Sequence, residues 1–126
     1  MKCLVTGGAG FIGSHMAEFL VRRAAAVRVF DNLCAGQKSN LAAVWKQIEF
    51  QRGDLRERRD VERAVKGIDY IFHEAALRSV PRSIDNPRAS HDANATGTLN
   101  LLVAARDAKV RRLIYASSSS VYGDAR

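Results

Sequence analysis

The chain has 126 residues, enough for one domain and too few for two. A hydrophobic share of 47% and a charged share of 26% are those of a globular protein, and no apolar run nears the ~20 residues that a bilayer span needs. The formal charge of +7 favours polyanions, but the arginines are scattered over helix ends and turns with no aromatics between them, so the expected partner is a small anionic molecule, not nucleic acid.

The first element is a buried strand, Lys2-Cys3-Leu4-Val5. It starts at once, which predicts a cytoplasmic protein without a signal peptide. Thr6, Gly7, Gly8, Ala9, Gly10, Phe11, Ile12, Gly13, Ser14 and His15 follow. Phe11, Ile12, Met16, Phe19, Leu20 and Val21 then recur at helical spacing over 11–24. The glycines therefore stand at a strand-to-helix turn, the setting a dinucleotide pyrophosphate needs. Gly7 permits the tight turn, Gly10 lets a phosphate reach the backbone, and Gly13 lets the helix pack on the strand. The helix N-terminus offers free N–H groups and a partial positive charge.

Ala24, Ala25 and Ala26 occupy the place where a glycine usually stops a helix. Val27-Arg28-Val29-Phe30 is the second strand, and Asp31 ends it. An acid about 20 residues beyond the glycines is where one holds an adenosine ribose. Its carboxylate would accept from both ribose hydroxyls and repel a 2′-phosphate, so NAD is expected over NADP. Its other reading is a loop acid capping the next turn. Cys3 and Cys34 make no disulfide framework, and no Cys/His cluster has metal-ligand spacing, so free thiols and no metal are expected.

Asn32 to Ser39 reads as a polar loop, and Asn40 to Lys46 as a short helix. The third strand, Ile48 to Gln51, alternates apolar and polar as a sheet edge does. Gly53, Asp54 and Leu55 close it. Asp54 is placed either to bind an adenine amine or to cap the next helix, and the sequence does not separate the two. That helix is predicted over 60–66, with Val61, Ala64 and Val65 on one face and Gly67 as its stop.

Asp69 to His73 is the fourth strand. The small Ala75 and Ala76 after Glu74 suit a backbone that passes close to a cofactor. His73 reads as a buried, hydrogen-bonded histidine and not as a base. Leu77 to Asp85 is predicted as a loop whose Arg78 and Arg82 either meet a substrate diphosphate or stay solvated. Asn86 and Pro87 are an N-cap and first helical residue. A long helix is expected from there to about Ala108, with Leu99, Leu102 and Val103 as its apolar stripe. Asn94 on it reaches the cofactor site or faces water. The fifth strand, Arg112 to Ala116, ends in Ser117, Ser118, Ser119 and Ser120, where ligands of open α/β sheets bind. The alternation predicts an α/β fold: a Rossmann-like, doubly wound parallel sheet with right-handed crossovers and strand order 3-2-1-4-5.

In that one order, Gly7 to His15, Asp31-Asn32-Leu33, Gly53-Asp54-Leu55, His73-Glu74-Ala75-Ala76, Asn94 to Thr98 and Ser117 to Gly123 resemble the extended short-chain dehydrogenase/reductases. Within them the chain is most similar to the NAD-dependent epimerase/dehydratase group and its UDP-sugar 4-epimerases. The resemblance covers the whole chain. It implies NAD as cofactor, a nucleotide sugar as substrate and a homodimer for the full-length protein. It also implies that Gly7, Gly10, Phe11, Ile12 and Gly13 hold the pyrophosphate. Asp31 and Asn32 would hold the adenosine ribose, with Leu33, Cys34, Ala35 and Gly36 beside it. Asp54 and Leu55 would contact adenine, and Ala75, Ala76, Arg78 and Asn94 would line the nicotinamide side.

Ser118 matches the family's catalytic serine, which bonds the sugar hydroxyl being oxidised, with Ser119 and Ser120 its neighbours in the sugar pocket. Dehydratases of the group usually carry Thr-Asp-Glu there. The serines favour epimerisation: oxidation at C4, turning over of the keto-sugar, and hydride return to the other face. A uronate epimerase is the alternative. The family's Tyr-x-x-x-Lys pair falls beyond Arg126; Tyr122 and Arg126 share its spacing, but Tyr122 belongs to the segment straight after the serines. Residues 1–126 are thus expected to be an NAD-binding domain without the substrate lobe, inactive alone. The fifth strand would then be an exposed edge, with marginal solubility or self-association.

Overall fold

Five short runs of β-branched, aromatic and aliphatic residues make one parallel sheet: β1 (Lys2–Thr6), β2 (Ala26–Asp31), β3 (Ile48–Arg52), β4 (Tyr70–His73) and β5 (Arg112–Tyr115). The structure is a computed structural model and describes residues 1–124; Arg126 lies outside them. The strand order is β3-β2-β1-β4-β5, as the alternation of elements requires. Thr6 stands opposite Phe30 on one side and His73 on the other, and His73 stands opposite Tyr115, so the strands end together along one rim. Among the described residues, β3 and β5 are the two sheet edges.

Both faces of the sheet are covered, which is why the central strands are apolar throughout. On one face, helix α1 (Phe11–Arg22) and the short 3₁₀ turns after β2 cover Cys3, Val5, Val27 and Val29. On the other, helices α2 (Arg58–Val65) and α5 (Gly97–Asp107) cover Leu4, Phe30 and Ile71. No helix among the described residues is long and apolar enough to cross a membrane.

Several expectations are corrected. Of the large residues of helix α1 only Leu20 is fully buried: Gly13, Ser14, Ala17 and Leu20 face the sheet, Met16 and Val21 are half-buried, and Phe11, Ile12 and Phe19 face out. The first turns of the helix lie so close to the glycine turn that only small side chains fit beneath them. Residues 40–46 form two 3₁₀ turns, Lys38–Leu41 and Trp45–Gln47, and no α-helix. The stretch 77–85 is not all loop: Ser79 caps a helix α3 (Val80–Asp85), its Oγ accepting from Arg82 N–H at 3.3 Å, with Pro81 in the first turn.

The long helix after Asn86 is likewise three pieces. Asn86 caps α4 (Pro87–His91) as predicted, accepting from Ala89 N–H at 3.1 Å. A π-helical turn (Asp92–Thr96) follows, with Gly97 N–H bonded back to Asp92 O, and α5 continues from it. In α5 the buried residues are Gly97, Leu101, Ala104 and Ala105. A Cβ on Gly97 would lie 2.9 Å from Leu55 Cβ, so the helix is pulled in on its small residues. The predicted stripe of Leu99, Leu102 and Val103 is the outward face. The helix predicted over 60–66 is two residues longer at its start, and Val61, Ala64 and Val65 are its buried face as expected.

Candidate functional site

The glycine turn is held by the backbone around it. Gly7 has φ +65°, and a Cβ there would sit 2.7 Å from Ala75 Cα. A Cβ on Gly13 would fall on Gly7 O and 2.7 Å from Gly8 Cα. Gly7 N–H donates to Phe30 O at 2.8 Å and Gly10 N–H to Gly7 O at 3.0 Å. The first bond of α1 is Ser14 N–H to Gly10 O. The N–H groups of Phe11, Ile12 and Gly13 precede it, and the Gly10 cap makes no side-chain hydrogen bond. These donors and the positive end of the twelve-residue helix face the turn.

Asp31 closes the next part of the rim. It is buried, and its Oδ2 accepts from Ala9 N–H at 2.9 Å while Oδ1 accepts from Leu33 N–H at 2.7 Å. Each oxygen keeps one lone-pair site for a further donor. Ala9 O accepts from Gln37 N–H and Asn40 Nδ2, so the loop carrying Leu33, Cys34, Ala35 and Gly36 is folded onto the glycine turn. Leu33 takes φ +63° to make this fold, and Cys34 is an exposed free thiol. Burial pushes the other free thiol, Cys3, up.

Asp54 does not cap α2, whose N-cap is Glu57. Both its oxygens are engaged: Oδ1 by Arg56 N–H and Nε, Oδ2 by Arg56 Nη2 at 2.7 Å and Asn32 Nδ2 at 3.3 Å. The Arg56 guanidinium holds the carboxyl down at about 2. Leu55 points its side chain into the core, and its carbonyl accepts from Asn100 Nδ2 at 2.9 Å.

Beyond β4, Ala75 is half-buried, while Ala76 and Arg78 are exposed. Asn94 neither faces water nor points freely at the rim: its Oδ1 accepts from Leu77 N–H at 2.7 Å and its Nδ2 donates to Leu77 O at 2.9 Å. The amide clamps the loop after β4. His73 is buried, as expected, between Thr6 Oγ1 at 2.6 Å and Thr98 Oγ1 at 2.9 Å. Burial lowers its pKa to about 4, so the ring is neutral near pH 7. Beyond β5, Ser118, Ser119 and Ser120 are exposed, with Ser118 Oγ accepting from Ser120 N–H at 3.3 Å.

Along the rim, the strand order therefore lays out Asp54, Asp31, the glycine turn, Ala75–Ala76 and Ser118 in one line across β3-β2-β1-β4-β5. Four inter-strand spacings make that line about 19 Å long, so a ligand touching both ends must be extended. The crossovers change faces between β1 and β4, which puts the glycine turn at the switch point where open α/β sheets bind ligands. The residues that sequence reasoning left out are Thr6, Asn40, Arg56 and Thr98. A single polar residue carries no spacing signal; what each bonds to appears only once the chain is folded.

Comparison with known proteins agrees with this fold. The sequence profile of the NAD dependent epimerase/dehydratase family matches residues 3–126. The chain belongs to the NAD-dependent epimerase/dehydratase family. It is 38% identical over 130 residues to a UDP-glucose 4-epimerase sequence of Klebsiella pneumoniae, covering 98% of this chain and 94% of that sequence. Two solved members of the family are similar in structure. The UDP-glucose 4-epimerase of Thermus thermophilus, in complex with NAD, has a TM-score of 0.87 at 44% identity, covering 94% of this chain and 38% of that one. The dTDP-glucose 4,6-dehydratase of Streptomyces venezuelae, also with NAD, has a TM-score of 0.94 at 40% identity, covering 100% and 42%. Other curated relatives it matches, among them the UDP-glucose 4-epimerase of Lactobacillus helveticus, are much longer, and the chain spans 37% to 39% of their length.

Proposed function

We propose that this chain binds NAD along the C-terminal rim of its sheet, adenosine towards β3 and nicotinamide towards β4. In the protein it represents, it would supply the cofactor half of a nucleotide-sugar epimerase acting in the cytoplasm. The observation that carries the reading is the order of the rim: an acid, a helix N-terminus with uncapped donors, and small residues, in the sequence an extended dinucleotide presents its parts. The cradle fits the group, because glycine at 7 and 13 lets the turn close tightly against Ala75 and the start of α1, with no side chain between the backbone and the helix N-terminus.

Bound NAD supplies a hydride acceptor and donor. The chain's own residues bind and orient. The Phe11, Ile12 and Gly13 N–H groups take the pyrophosphate with the helix dipole behind them. Asp31, already fixed by Ala9 and Leu33, offers its remaining lone pairs to the ribose hydroxyls and repels a 2′-phosphate. Ser118 at the end of β5 presents a hydroxyl to a sugar hydroxyl beside the nicotinamide end. The absence of an acid at 118–120 favours epimerisation over dehydration. A uronate epimerase keeps the same cofactor half. The outward Leu99, Leu102 and Val103 of α5 support a homodimer of the full-length protein.

Calorimetry of NAD and NADP against the chain and its Asp31→Ala variant tests the cofactor reading. NAD is expected to bind with preference over NADP. The variant should weaken NAD about tenfold to a hundredfold, the value of hydrogen bonds to a charged group, and lose the preference. A folded chain that binds no NAD, or binds NADP equally well, overturns the reading.

A further inference from the structure

The hydrogen bonds around His73 have only one consistent direction. Thr98 Oγ1 lies 2.6 Å from Asn94 O, and a carbonyl cannot donate, so the Thr98 hydroxyl proton points there. His73 Nε2 lies 2.9 Å from that same hydroxyl oxygen, so Nε2 must carry the ring proton and donate it. The ring is neutral, which leaves Nδ1 bare to accept from Thr6 Oγ1 at 2.6 Å. Thr6 Oγ1 in turn accepts from Ala75 N–H at 3.3 Å. A one-way relay thus runs from the Ala75 amide through Thr6, His73 and Thr98 to the Asn94 carbonyl.

Its two ends are tied a second time. The Asn94 side chain holds both the N–H and the carbonyl of Leu77. Residues 75–77 therefore sit inside a closed ring of hydrogen bonds and covalent chain. The ring joins β1 through Thr6, β4 through His73, and the helical segment through Asn94 in its π-helical turn and Thr98 at the start of α5. Thr6 and His73 are both buried, so the bond between them is made away from competing water, and the remaining bonds of the ring are partly buried.

We propose that His73, fixed as its Nε2–H tautomer, is a positioning residue that sets the Ala75–Leu77 backbone and Asn94 for the nicotinamide half of the dinucleotide. The ligand in this proposal rests on the NAD reading above; the tautomer does not. A neutral imidazole has one donor and one acceptor on opposite edges of a rigid ring. It can hold two threonines on different elements at a fixed separation, and only one of its two tautomers completes the relay.

Two measurements on the 126-residue chain test this. Long-range ¹⁵N–¹H correlation at neutral pH reports which nitrogen of His73 is protonated. Nε2–H is expected, and Nδ1–H or a mixture of tautomers overturns the proposal. The second measurement compares the affinities of NAD and ADP-ribose, which lacks the nicotinamide, for Thr98→Val and Thr98→Ser. Thr98→Val should weaken NAD about tenfold and leave ADP-ribose within about twofold, and Thr98→Ser should restore NAD. Equal weakening of both ligands, or undiminished NAD affinity in Thr98→Val, overturns it. If the unaltered chain binds ADP-ribose and NAD equally poorly, the cofactor reading fails instead. The tautomer is read on the unaltered chain, so it decides even where Thr98→Val does not fold.

Discussion

The rim is closed at the end of β1 and β2 and open at the end of β5. Ala9 is fully buried, with its N–H on Asp31 and its carbonyl on Gln37 and Asn40. Gly7 rests on Ala75, and Gly13 on the turn itself. On the other side, Ile114 and Tyr115 of β5 are 40% and 59% exposed, and the outward Leu99 and Leu102 of α5 are exposed as well. The glycine turn and the Asp31 carboxylate, the proposed pyrophosphate and ribose positions, are thus shaped in advance by the chain's own contacts. The serine positions stand on a strand whose apolar residues have little cover. Preorganisation of that kind lowers the ordering cost of binding, so affinity for the dinucleotide should reside mainly at the closed end.

The largest break in this contrast is Gly13→Ala. The new Cβ would overlap backbone atoms of Gly7 and Gly8, which cannot rotate away. A loss of about 3 kcal/mol or more is expected, at the upper end of overpacking costs. Urea unfolding with NAD titration on the same sample checks it. An unchanged midpoint would mean that α1 can lift from the turn, and that the closed end is less rigid than its contacts imply.

A smaller effect sharpens the contrast within one helix. Leu101 and Leu102 are neighbours on α5, but Leu101 is fully buried and Leu102 is 47% exposed. Leu101→Ala should cost about 3 kcal/mol through lost burial and a cavity. Leu102→Ala should stay within about 0.5 kcal/mol. Denaturation midpoints for the pair measure the difference directly. A comparable loss at Leu102 would show that the outward face is covered in solution, through self-association of the chain.

What could be read ahead of the structure followed a simple division. Patterns that depend on neighbours in sequence were legible: the glycine turn between strand and helix, Asp31 at the end of β2, the Asn86 cap, and the strand order from the alternation of elements. Which face of a helix turns inward was not. Phe11, Phe19, Leu99 and Leu102 have the spacing of a core stripe, but the small residues between them set the approach distance and take the inward face. Partner choice was also hidden. Asp54 offered adenine binding or a helix cap, and the structure excludes the cap: Arg56, two residues on, reaches back to its carboxylate with a two-pronged guanidinium. Ser79 and the π-helical turn at Asp92–Thr96 break a segment whose composition alone gave no sign of where it would break.

A small gain in stability is expected at the far end of α1, away from the closed rim. Ala24 has φ +58°, the left-handed conformation in which a Cβ is strained. It is there because the helix ends in a Schellman turn: Ala24 N–H bonds Val21 O at 2.9 Å and Ala25 N–H reaches back to Leu20 O at 3.1 Å. Ala25 and Leu20 then pack in the same core cluster. Those contacts fix the conformation whatever residue stands at 24. Ala24→Gly should therefore relieve strain and keep the turn, gaining about 0.5–1 kcal/mol after the greater freedom of glycine in the unfolded chain is subtracted. A rise of a few degrees in Tm, about 3 °C, with unchanged NAD affinity is the expected result. A fall in Tm would mean that the unfolded-state term outweighs the strain. A change in NAD affinity would mean that the two ends of α1 are mechanically linked, and that the glycine turn is not held by its own contacts alone.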